Sequence, residues 1–356
     1  MLSKTPCNFR FSRKTIQNCD SYLDYRRLCT SVRRYRRLKD SAESRPSIEK
    51  LHQGTLEAML TCFEFFFPFV YDEVEFLEQL AFDFVKRQYE QNVIYTEVRY
   101  CPHLLAKDPL KAYQVITQGL RKGCEQYDVI VNQILCAIDF CPEWSKDIVE
   151  MADNHRQSFP CAVVGIDIAA GEGHFEEDSP HRQKHIEMCQ RAQELGLNIT
   201  VHAGETPNST GNVKKAIDEY GAKRIGHGYH IRDYPEIMDY VKKRQVHLEV
   251  CPTSSVETGA WKKTDWVLHP ACIFKENGLS VSLSSDDPAV FNTSLTWQYR
   301  MALKKMKWDK EDILETLEDT VEAAFLSNRE KAMLRQKIKD FSVCRNPVFT
   351  DRVHYD

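Results

Sequence analysis

Apolar segments alternate regularly with amphipathic segments along most of the chain. Short and nearly continuous apolar runs predict buried strands at 93–100, 130–138, 162–169, 198–203, 223–227, 247–251 and 279–285. Apolar residues at helical spacing predict helices at 110–126, 143–157, 179–195, 212–220, 234–244 and 266–277. Buried strands that alternate with helices favour a parallel sheet covered on both faces. Seven such strands in regular succession fit a (β/α)8 barrel better than a doubly wound sheet, although one strand is lacking.

The two ends of the chain do not share this alternation. We therefore predict one barrel domain at 51–345, whose helical, charged segment 309–341 forms a cover, and a short tail at 346–356. Residues 1–50 form a basic arm, with eleven Lys or Arg up to Lys39 against only Asp20 and Asp24. Three interpretations of this arm stay open: a poorly ordered solvated segment, a targeting segment, or sequence that replaces a normal first exon. The two acids and the lack of an apolar face weaken the targeting interpretation.

Composition excludes several classes of function. The chain has 356 residues, 42% of them hydrophobic, and a net charge of −4, so no globally basic surface suggests a nucleic-acid partner. No apolar run approaches the roughly 20 residues that cross a bilayer, and we expect no membrane partner. The 13 cysteines include no C-x-x-C pair, which is typical of a reduced, cytoplasmic protein. We interpret these cysteines as core residues.

Polar residues that could bind a metal or transfer a proton follow several of the predicted strands. His202 and Glu205 follow the run at 198–203, His227 ends the run at 223–227, and Asp286 and Asp287 follow the last run. In a barrel these strand ends meet around one pocket. His202 and Asp286 are residue types that bind Zn²⁺, His227 can hold or deprotonate a water, Glu205 can transfer a proton, and Asp287 can hydrogen-bond a substrate donor. Two structural alternatives are a turn at His227 and a helix N-cap at Asp286-Asp287-Pro288.

The two adjacent aspartates raise a geometric question. Successive side chains of a strand point to opposite faces, so Asp286 and Asp287 can both face the pocket only if the strand has already ended. Pro288 makes such an early end plausible. Two other groups receive structural interpretations: the aromatic-rich stretch at 56–71 as core or lid packing, and His181 with His185 as part of a solvated helix face.

Six motifs in order carry a resemblance to a known family. They are TEVRYCPHLLA at 96–106, TVHAGE at 200–205, RIGHGYH at 224–230, LEVCPTSS at 248–255, TGAW at 258–261 and SSDDP at 284–288. Together they resemble adenosine deaminase, a zinc-dependent amidohydrolase barrel, over roughly residues 52 to 345.

The resemblance implies a set of roles for these residues. His202 and Asp286 match zinc ligands, and Glu205 matches the residue that protonates purine N1. His227 matches the histidine beside the attacking hydroxide, and Asp287 matches a residue that contacts the purine. The implied reaction converts adenosine or 2′-deoxyadenosine, small-molecule purine nucleosides, to the inosine product and ammonia through a tetrahedral intermediate.

Two departures from the family pattern matter. The family has an Asp-x-Ala-Gly-Asp-Glu stretch whose Gly contacts the purine, whereas residues 167–172 read DIAAGE. The purine-contacting position is therefore Ala170 or, with a shift of one residue, Gly171, and we take Gly171 as the substrate-binding residue. The family also begins with a strand bearing His-x-His-x-Asp-Gly, which supplies two zinc ligands. Here no histidine precedes His52, so this sequence lacks both the strand and the two zinc ligands that the strand carries.

This absence leads to four expectations. We predict an incomplete barrel with strand one missing or replaced, and a gap between strands eight and two. We predict lower stability than that of a full-length family member. We also predict weakly held Zn²⁺, and little or no deamination by this chain. The alternatives are a truncated isoform, a catalytically inactive purine-binding or regulatory homologue, or a related barrel amidohydrolase with another purine or pterin substrate.

Overall fold

Eight parallel strands form one sheet whose order follows the chain. The computed structural model describes residues 15–21, 54–156, 160–262 and 264–343, with the backbone alone at 15–21, 64–66 and 341–343. The strands are β1 (Thr15–Ser21), β2 (Val93–Tyr100), β3 (Ile130–Ile138), β4 (Val163–Ala169), β5 (Asn198–Ala203), β6 (Arg224–His227), β7 (His247–Val250) and β8 (Val281–Leu283). All seven predicted strands are confirmed as β2 to β8, and each pairs in parallel with its neighbours in the chain.

The first strand position is filled by a segment of the basic arm. Strand β1 pairs in parallel with β2, from Thr15 opposite Val93 to Ser21 opposite Arg99. No pairing register joins β8 to β1 among the described residues, so the barrel is incomplete there. The predicted incomplete (β/α)8 barrel is therefore confirmed in its form with strand one replaced, and the seam lies between β8 and β1. The rest of the predicted arm and the tail at 346–356 lie outside the described residues.

Helices follow the strands and cover the sheet. They are α1 (Leu56–Val70), α2 (Val74–Glu90), α3 (Pro109–Gln126), α4 (Ser145–His155), α5 (Arg182–Glu194), α6 (Thr210–Asp218), α7 (Pro235–Lys243), α8 (Pro252–Glu257), α9 (Pro270–Glu276), α10 (Leu295–Lys304), α11 (Lys310–Ala323) and α12 (Asn328–Val343). Side-chain oxygens of Thr55, Asp108, Ser294 and Asp309 accept backbone N–H groups in first turns, which stabilises these helix starts. Among the described residues, none of the helices has the length and apolarity needed to cross a membrane.

The aromatic-rich stretch before β2 packs as predicted. Helix α1 buries Met59, Cys62 and Phe63 against Val290 and Phe291, two residues that follow the predicted Asp286-Asp287 pair. Burying such side chains stabilises the fold by about 1.5–3 kcal/mol each. Helix α1 therefore supports the segment that carries the two aspartates.

A cluster of oppositely charged side chains lies in the barrel interior. Arg99 donates from Nη1 to Asp167 Oδ2 at 3.0 Å and from Nη2 to Glu249 Oε2 at 2.6 Å. Arg224 lies 2.8 Å from Glu249 Oε1 and donates to Glu97 Oε2 at 2.5 Å. All five side chains are buried. Each guanidinium lies between two carboxylates, and such pairing is what makes buried charge tolerable.

The C-terminal helices close the barrel at the end where the strands begin. Phe325 donates its backbone N–H to Glu97 Oε1 at 2.7 Å, and its ring lies 3.6 Å from the Arg224 guanidinium. Leu317 and Val321 of α11 belong to the same apolar cluster as Ile94 of β2. The predicted helical cover at 309–341 is therefore confirmed, and it leaves the opposite end of the barrel for the site.

Candidate active site

The five residues predicted from the strand ends lie together and are buried. His202 lies on β5 and Glu205 follows that strand, His227 ends β6, and Asp286 and Asp287 follow β8. The imidazole rings of His202 and His227 are 5.0 Å apart between centroids. None of the five is more than 9% exposed, although all are polar. Polar side chains cluster in a buried site when they serve a ligand or one another.

Left-handed backbone conformations aim two of these side chains. His227 has φ +70° and Asp286 has φ +57°, a backbone region that residues other than glycine rarely adopt. Strand β8 ends at Leu283, before the aspartates, and the chain turns from Pro288 onwards, so both carboxylates are buried, as the position of Pro288 suggested. The N-cap alternative for Asp286-Asp287 is wrong, because the next α-helix begins at Leu295 and Ser294 caps it. Backbone strain of this kind concentrates at functional sites.

Asp167 fixes the orientation of His202. The Nδ1 atom of His202 lies 3.2 Å and 3.1 Å from the two oxygens of Asp167, which also accepts from Arg99. Burial acts to lower the pKa of His202, but the Asp167 carboxylate outweighs it and the pKa is raised. Burial likewise acts to raise the pKa of Asp167, and His202 and Arg99 hold that pKa low. Because Nδ1–H donates to Asp167, Nε2 is the nitrogen left for a metal.

A tyrosine hydroxyl fixes the tautomer of His227. Tyr229 donates to the carbonyl of Cys251 at 3.0 Å and accepts the N–H of Cys251 at 3.1 Å. Its single proton is thereby used, so His227 Nδ1, 3.0 Å away, must be the donor to the tyrosine oxygen. Burial lowers the pKa of His227 to about 4. The ring is therefore neutral near pH 7, with a lone pair on Nε2.

Glu205 pairs with that nitrogen and is held in place by its backbone. Its Oε2 lies 3.4 Å from His227 Nε2. The Glu172 carboxylate accepts the backbone N–H groups of Gly204, Glu205 and Thr206 at 2.8–2.9 Å. Burial raises the pKa of Glu205 to about 8, and the neighbouring Asp286 carboxylate adds to the effect. Glu205 is therefore protonated at neutral pH, which is the form of a general acid.

The donor atoms in this site suit zinc. Ligand atoms of His227, Cys251 and Asp286 lie within 4.8 Å of one another, and all three residues are buried. His202 adds an imidazole whose Nε2 is left available by the Asp167 hydrogen bond. Imidazole nitrogen, thiolate sulfur and carboxylate oxygen are the ligands that Zn²⁺ takes in proteins. These residues fit a zinc ion even though the His-x-His strand is absent.

The segment after β4 approaches the site closely. Ala170 has φ +81°, a conformation that favours glycine. A Cβ on Gly171 would lie 2.5 Å from Asp139 Oδ2. Position 171 therefore requires glycine because there is no room for a side chain, and not because of its backbone conformation. Asp139 is itself held by His174, whose N–H and Nδ1 lie 2.7 Å and 2.8 Å from Oδ1. The two residues that the sequence left as alternatives thus differ: Ala170 has the glycine-like backbone, and Gly171 has the close contact.

Several supporting residues were not foreseen from the sequence. Asp167 and Glu172 both belong to the DIAAGE stretch, and Tyr229 belongs to RIGHGYH, so the motifs contained them without showing their contacts. The prediction that His185 lies on a solvated helix face is wrong. It is fully buried, with Nδ1 2.9 Å from Ser145 Oγ and Nε2 2.9 Å from the Asp139 carbonyl, because this face of α5 packs against α4.

Comparisons with known proteins find similar sequences. The family model described as adenosine deaminase matches residues 36–341. A Xenopus tropicalis protein named adenosine deaminase is 33% identical over 300 residues, which cover 80% of this chain and 81% of that protein. The adenosine deaminase of Bos taurus is 32% identical over 295 residues, covering 79% of each.

Solved structures show the same fold. The apo N6-methyl-AMP deaminase of Arabidopsis thaliana superposes with a TM-score of 0.76 at 21% identity, covering 92% of this chain and 97% of that one. The adenine deaminase of Arthrobacter aurescens also gives 0.76, at 18% identity and 92% and 98% coverage. An amidohydrolase from Burkholderia ambifaria with bound Zn gives 0.66 at 21% identity, with 75% and 73% coverage.

Proposed function

The chain belongs to the adenosine deaminase family, and on this premise we propose that it hydrolyses the 6-amino group of adenosine and 2′-deoxyadenosine. Water adds to C6 of the purine, ammonia leaves, and the 6-oxo nucleoside remains. The observation that carries the proposal is the pair formed by neutral His227 and protonated Glu205, 3.4 Å apart between Nε2 and Oε2. A base and an acid with separated pKa values are what this reaction requires.

His202 and Asp286 would hold a zinc ion beside this pair. The hydrogen bond to Asp167 occupies Nδ1 of His202 and leaves Nε2 for the ion. Asp286 is buried next to both histidines. A zinc ion there would supply Lewis acidity and a nucleophilic water near neutral pH. The relative from Burkholderia ambifaria, whose structure has bound Zn, supports this choice of metal. Because no His-x-His strand is present, we propose that the ion is held weakly and that turnover is slow.

The chain's own residues carry the proton transfers. Neutral His227 accepts a proton from the attacking water at Nε2, while its Nδ1–H remains bonded to Tyr229. Glu205 donates its proton to purine N1, which makes C6 more electrophilic. The backbone hydrogen bonds from Gly204–Thr206 to Glu172 hold the strand end that carries Glu205. Once ionised, Glu205 can recover that proton from His227, since the two side chains face each other. The proton of the hydroxyl group on C6 passes to the amino group, which leaves as ammonia as the 6-oxo group forms.

Substrate contacts come from two further places. Asp287 would accept a hydrogen bond from a purine donor, since it is buried beside Asp286 in the same turn. Gly171 would lie along the purine edge. Because glycine has no side chain, there is room there for both the ligand and the Asp139 carboxylate. A small-molecule purine nucleoside is therefore the proposed partner. The cytoplasmic location and the domain limits stay predictions from the sequence.

A substrate panel tests this proposal. Purified protein with added zinc is given adenosine, 2′-deoxyadenosine, adenine and N6-methyl-AMP. The 6-oxo product is measured together with the amine released, which is methylamine for N6-methyl-AMP and ammonia for the others. We expect the two nucleosides to react faster than adenine and the nucleotide. Faster reaction of N6-methyl-AMP would instead align the chain with the Arabidopsis enzymes of the same fold. A Glu205→Gln variant serves as the blank for contaminating activity.

A second candidate function is supported by the missing ligands. No histidine precedes His52, so a catalytically inactive homologue could keep the purine pocket without firm metal binding. Titration calorimetry with inosine distinguishes the two: nucleoside binding without turnover at any zinc concentration would favour this second function.

A further inference from the structure

Cys251 occupies a fixed position in the site, although no role has been assigned to it. It follows β7, is fully buried, and begins the turn into α8. Both of its backbone polar groups bond the Tyr229 hydroxyl, which also holds His227. The backbone that carries this thiol is therefore tied to the catalytic histidine.

The thiol lies close to two residues of the site. Ligand atoms of Cys251, His227 and Asp286 lie within 4.8 Å of one another. Tetrahedral zinc with bonds of about 2.0–2.3 Å places its ligand atoms roughly 3.5 Å apart. The sulfur and a carboxylate oxygen would therefore have to approach each other by about 1 Å to bind one ion. Asp286 belongs both to this group and to the proposed zinc pair with His202.

We propose that the Cys251 thiolate is a ligand of the metal ion held by His202 and Asp286, and that it makes up for an absent strand-one histidine. This inference rests on the proposed metal site. Three protein ligands with one open position are the pattern of catalytic zinc, and sulfur, nitrogen and oxygen all suit that ion. His227 is then left to accept a proton through Nε2, in line with its fixed tautomer.

Binding through sulfur has measurable consequences. The thiol must release its proton to solvent when the ion enters, so metal affinity falls as the pH is lowered. The bound sulfur is also protected from alkylating reagents. A thiolate ligand gives Co²⁺ a charge-transfer absorption band in the near ultraviolet, which nitrogen and oxygen ligands do not produce. This last signature needs no mutation and no activity.

The test uses the full chain, freed of metal and titrated with Co²⁺ and then Zn²⁺. We expect a sulfur-to-cobalt band in the unmodified protein and its loss in Cys251→Ser. We also expect Zn²⁺ affinity in that variant to fall by more than the roughly 10- to 100-fold that loss of an outer-shell partner costs. Cys272→Ser is the matched control, because Cys272 is a buried cysteine of α9 outside the site. It should leave both the band and the affinity unchanged.

The outcomes separate this inference from the proposed function. A cobalt spectrum of the unmodified protein without the band overturns the inference even if Cys251→Ser does not fold. Equal zinc affinity of the unmodified protein and folded Cys251→Ser also overturns it, while the His202 and Asp286 site stands if Asp286→Asn loses the ion. A sulfur-bound ion in a protein that deaminates no purine would uphold the inference and refute the proposed function.

Discussion

Replacing Asp167 with asparagine should weaken zinc binding by a route that leaves every proposed ligand in place. Asp167 is fully buried and accepts hydrogen bonds from Arg99 Nη1 at 3.0 Å and from His202 Nδ1 at 3.1–3.2 Å. An asparagine has one acceptor oxygen and must turn its NH₂ towards one of these donors. Either Arg99 or His202 then loses its partner. The change thus removes the group that orients His202 and stabilises its protonated Nδ1.

The structure sets the size of the effect. Loss of an outer-shell carboxylate weakens metal affinity by about 10- to 100-fold, or roughly 1.4–2.7 kcal/mol. Breaking a buried ion pair costs about 3–5 kcal/mol, and we expect the lower part of that range because Arg99 keeps Glu249 at 2.6 Å. A loss of about 3 kcal/mol lowers Tm by roughly 5 °C for a domain of about 300 residues.

Zinc affinity by competition with a chromophoric chelator, together with a thermal melt, measures both effects. The matched control is Asp319→Asn, because Asp319 of α11 accepts a backbone N–H from Val281 at 3.3 Å and lies far from the site. The control should retain the parent's zinc affinity. Folded Asp167→Asn protein with zinc affinity within about twofold of the parent would refute the reasoning, since the expected loss is at least about tenfold.

Three further predictions follow from the same contacts. Ala170→Gly should raise the free energy of unfolding by about 0.5–1 kcal/mol in denaturant titrations, because φ +81° strains an alanine; a loss of stability would contradict this. Burial lowers the pKa of His185 to about 4. The contribution of the neutral ring to the free energy of unfolding is therefore full above pH 6.5 and is lost as the pH falls from 6.5 to 4. The loss reaches about 3 kcal/mol, and His185→Gln should flatten that part of the stability–pH curve while His181→Gln should not. Glu205→Gln should lower kcat by about 10²- to 10⁴-fold, measured as inosine formed under zinc saturation, and a smaller loss would exclude Glu205 as the acid.

Strand positions could be predicted because burial on both faces leaves a strong signal. The apolar runs that became β2 and β3 match their predicted ends, and β5 does so as well. Strand β1 could not be predicted, because Thr15–Ser21 reads TIQNCDS and has no apolar run. Its pairing with β2 uses backbone hydrogen bonds, which composition does not reveal. The gap was predicted between strands eight and two, but β1 fills the position beside β2, so the opening in the sheet lies between β8 and β1.

The site could be predicted to the level of residues but not of contacts. Strand ends of a barrel converge whatever the sequence between them, so His202, His227 and Asp286 could be grouped without coordinates. The position of Cys251 beside His227 and Asp286 could not be predicted, since a buried cysteine at the end of an apolar strand looks like a core residue. The burial of His185 was also hidden, because a histidine at helical spacing carries no sign of whether Ser145 faces it. Partner contacts across 30 to 40 residues depend on tertiary packing alone.

The dependence of adenosine turnover on zinc concentration tests the central claim most directly. The purified full chain is freed of metal, zinc is added in steps, and the ultraviolet change from adenosine to inosine is followed beside the Bos taurus enzyme. The account predicts turnover that rises over a range of zinc concentrations where the bovine enzyme is already saturated, and that remains well below the bovine rate. Turnover equal to that of the bovine enzyme without added zinc, or turnover that zinc does not change, would contradict it.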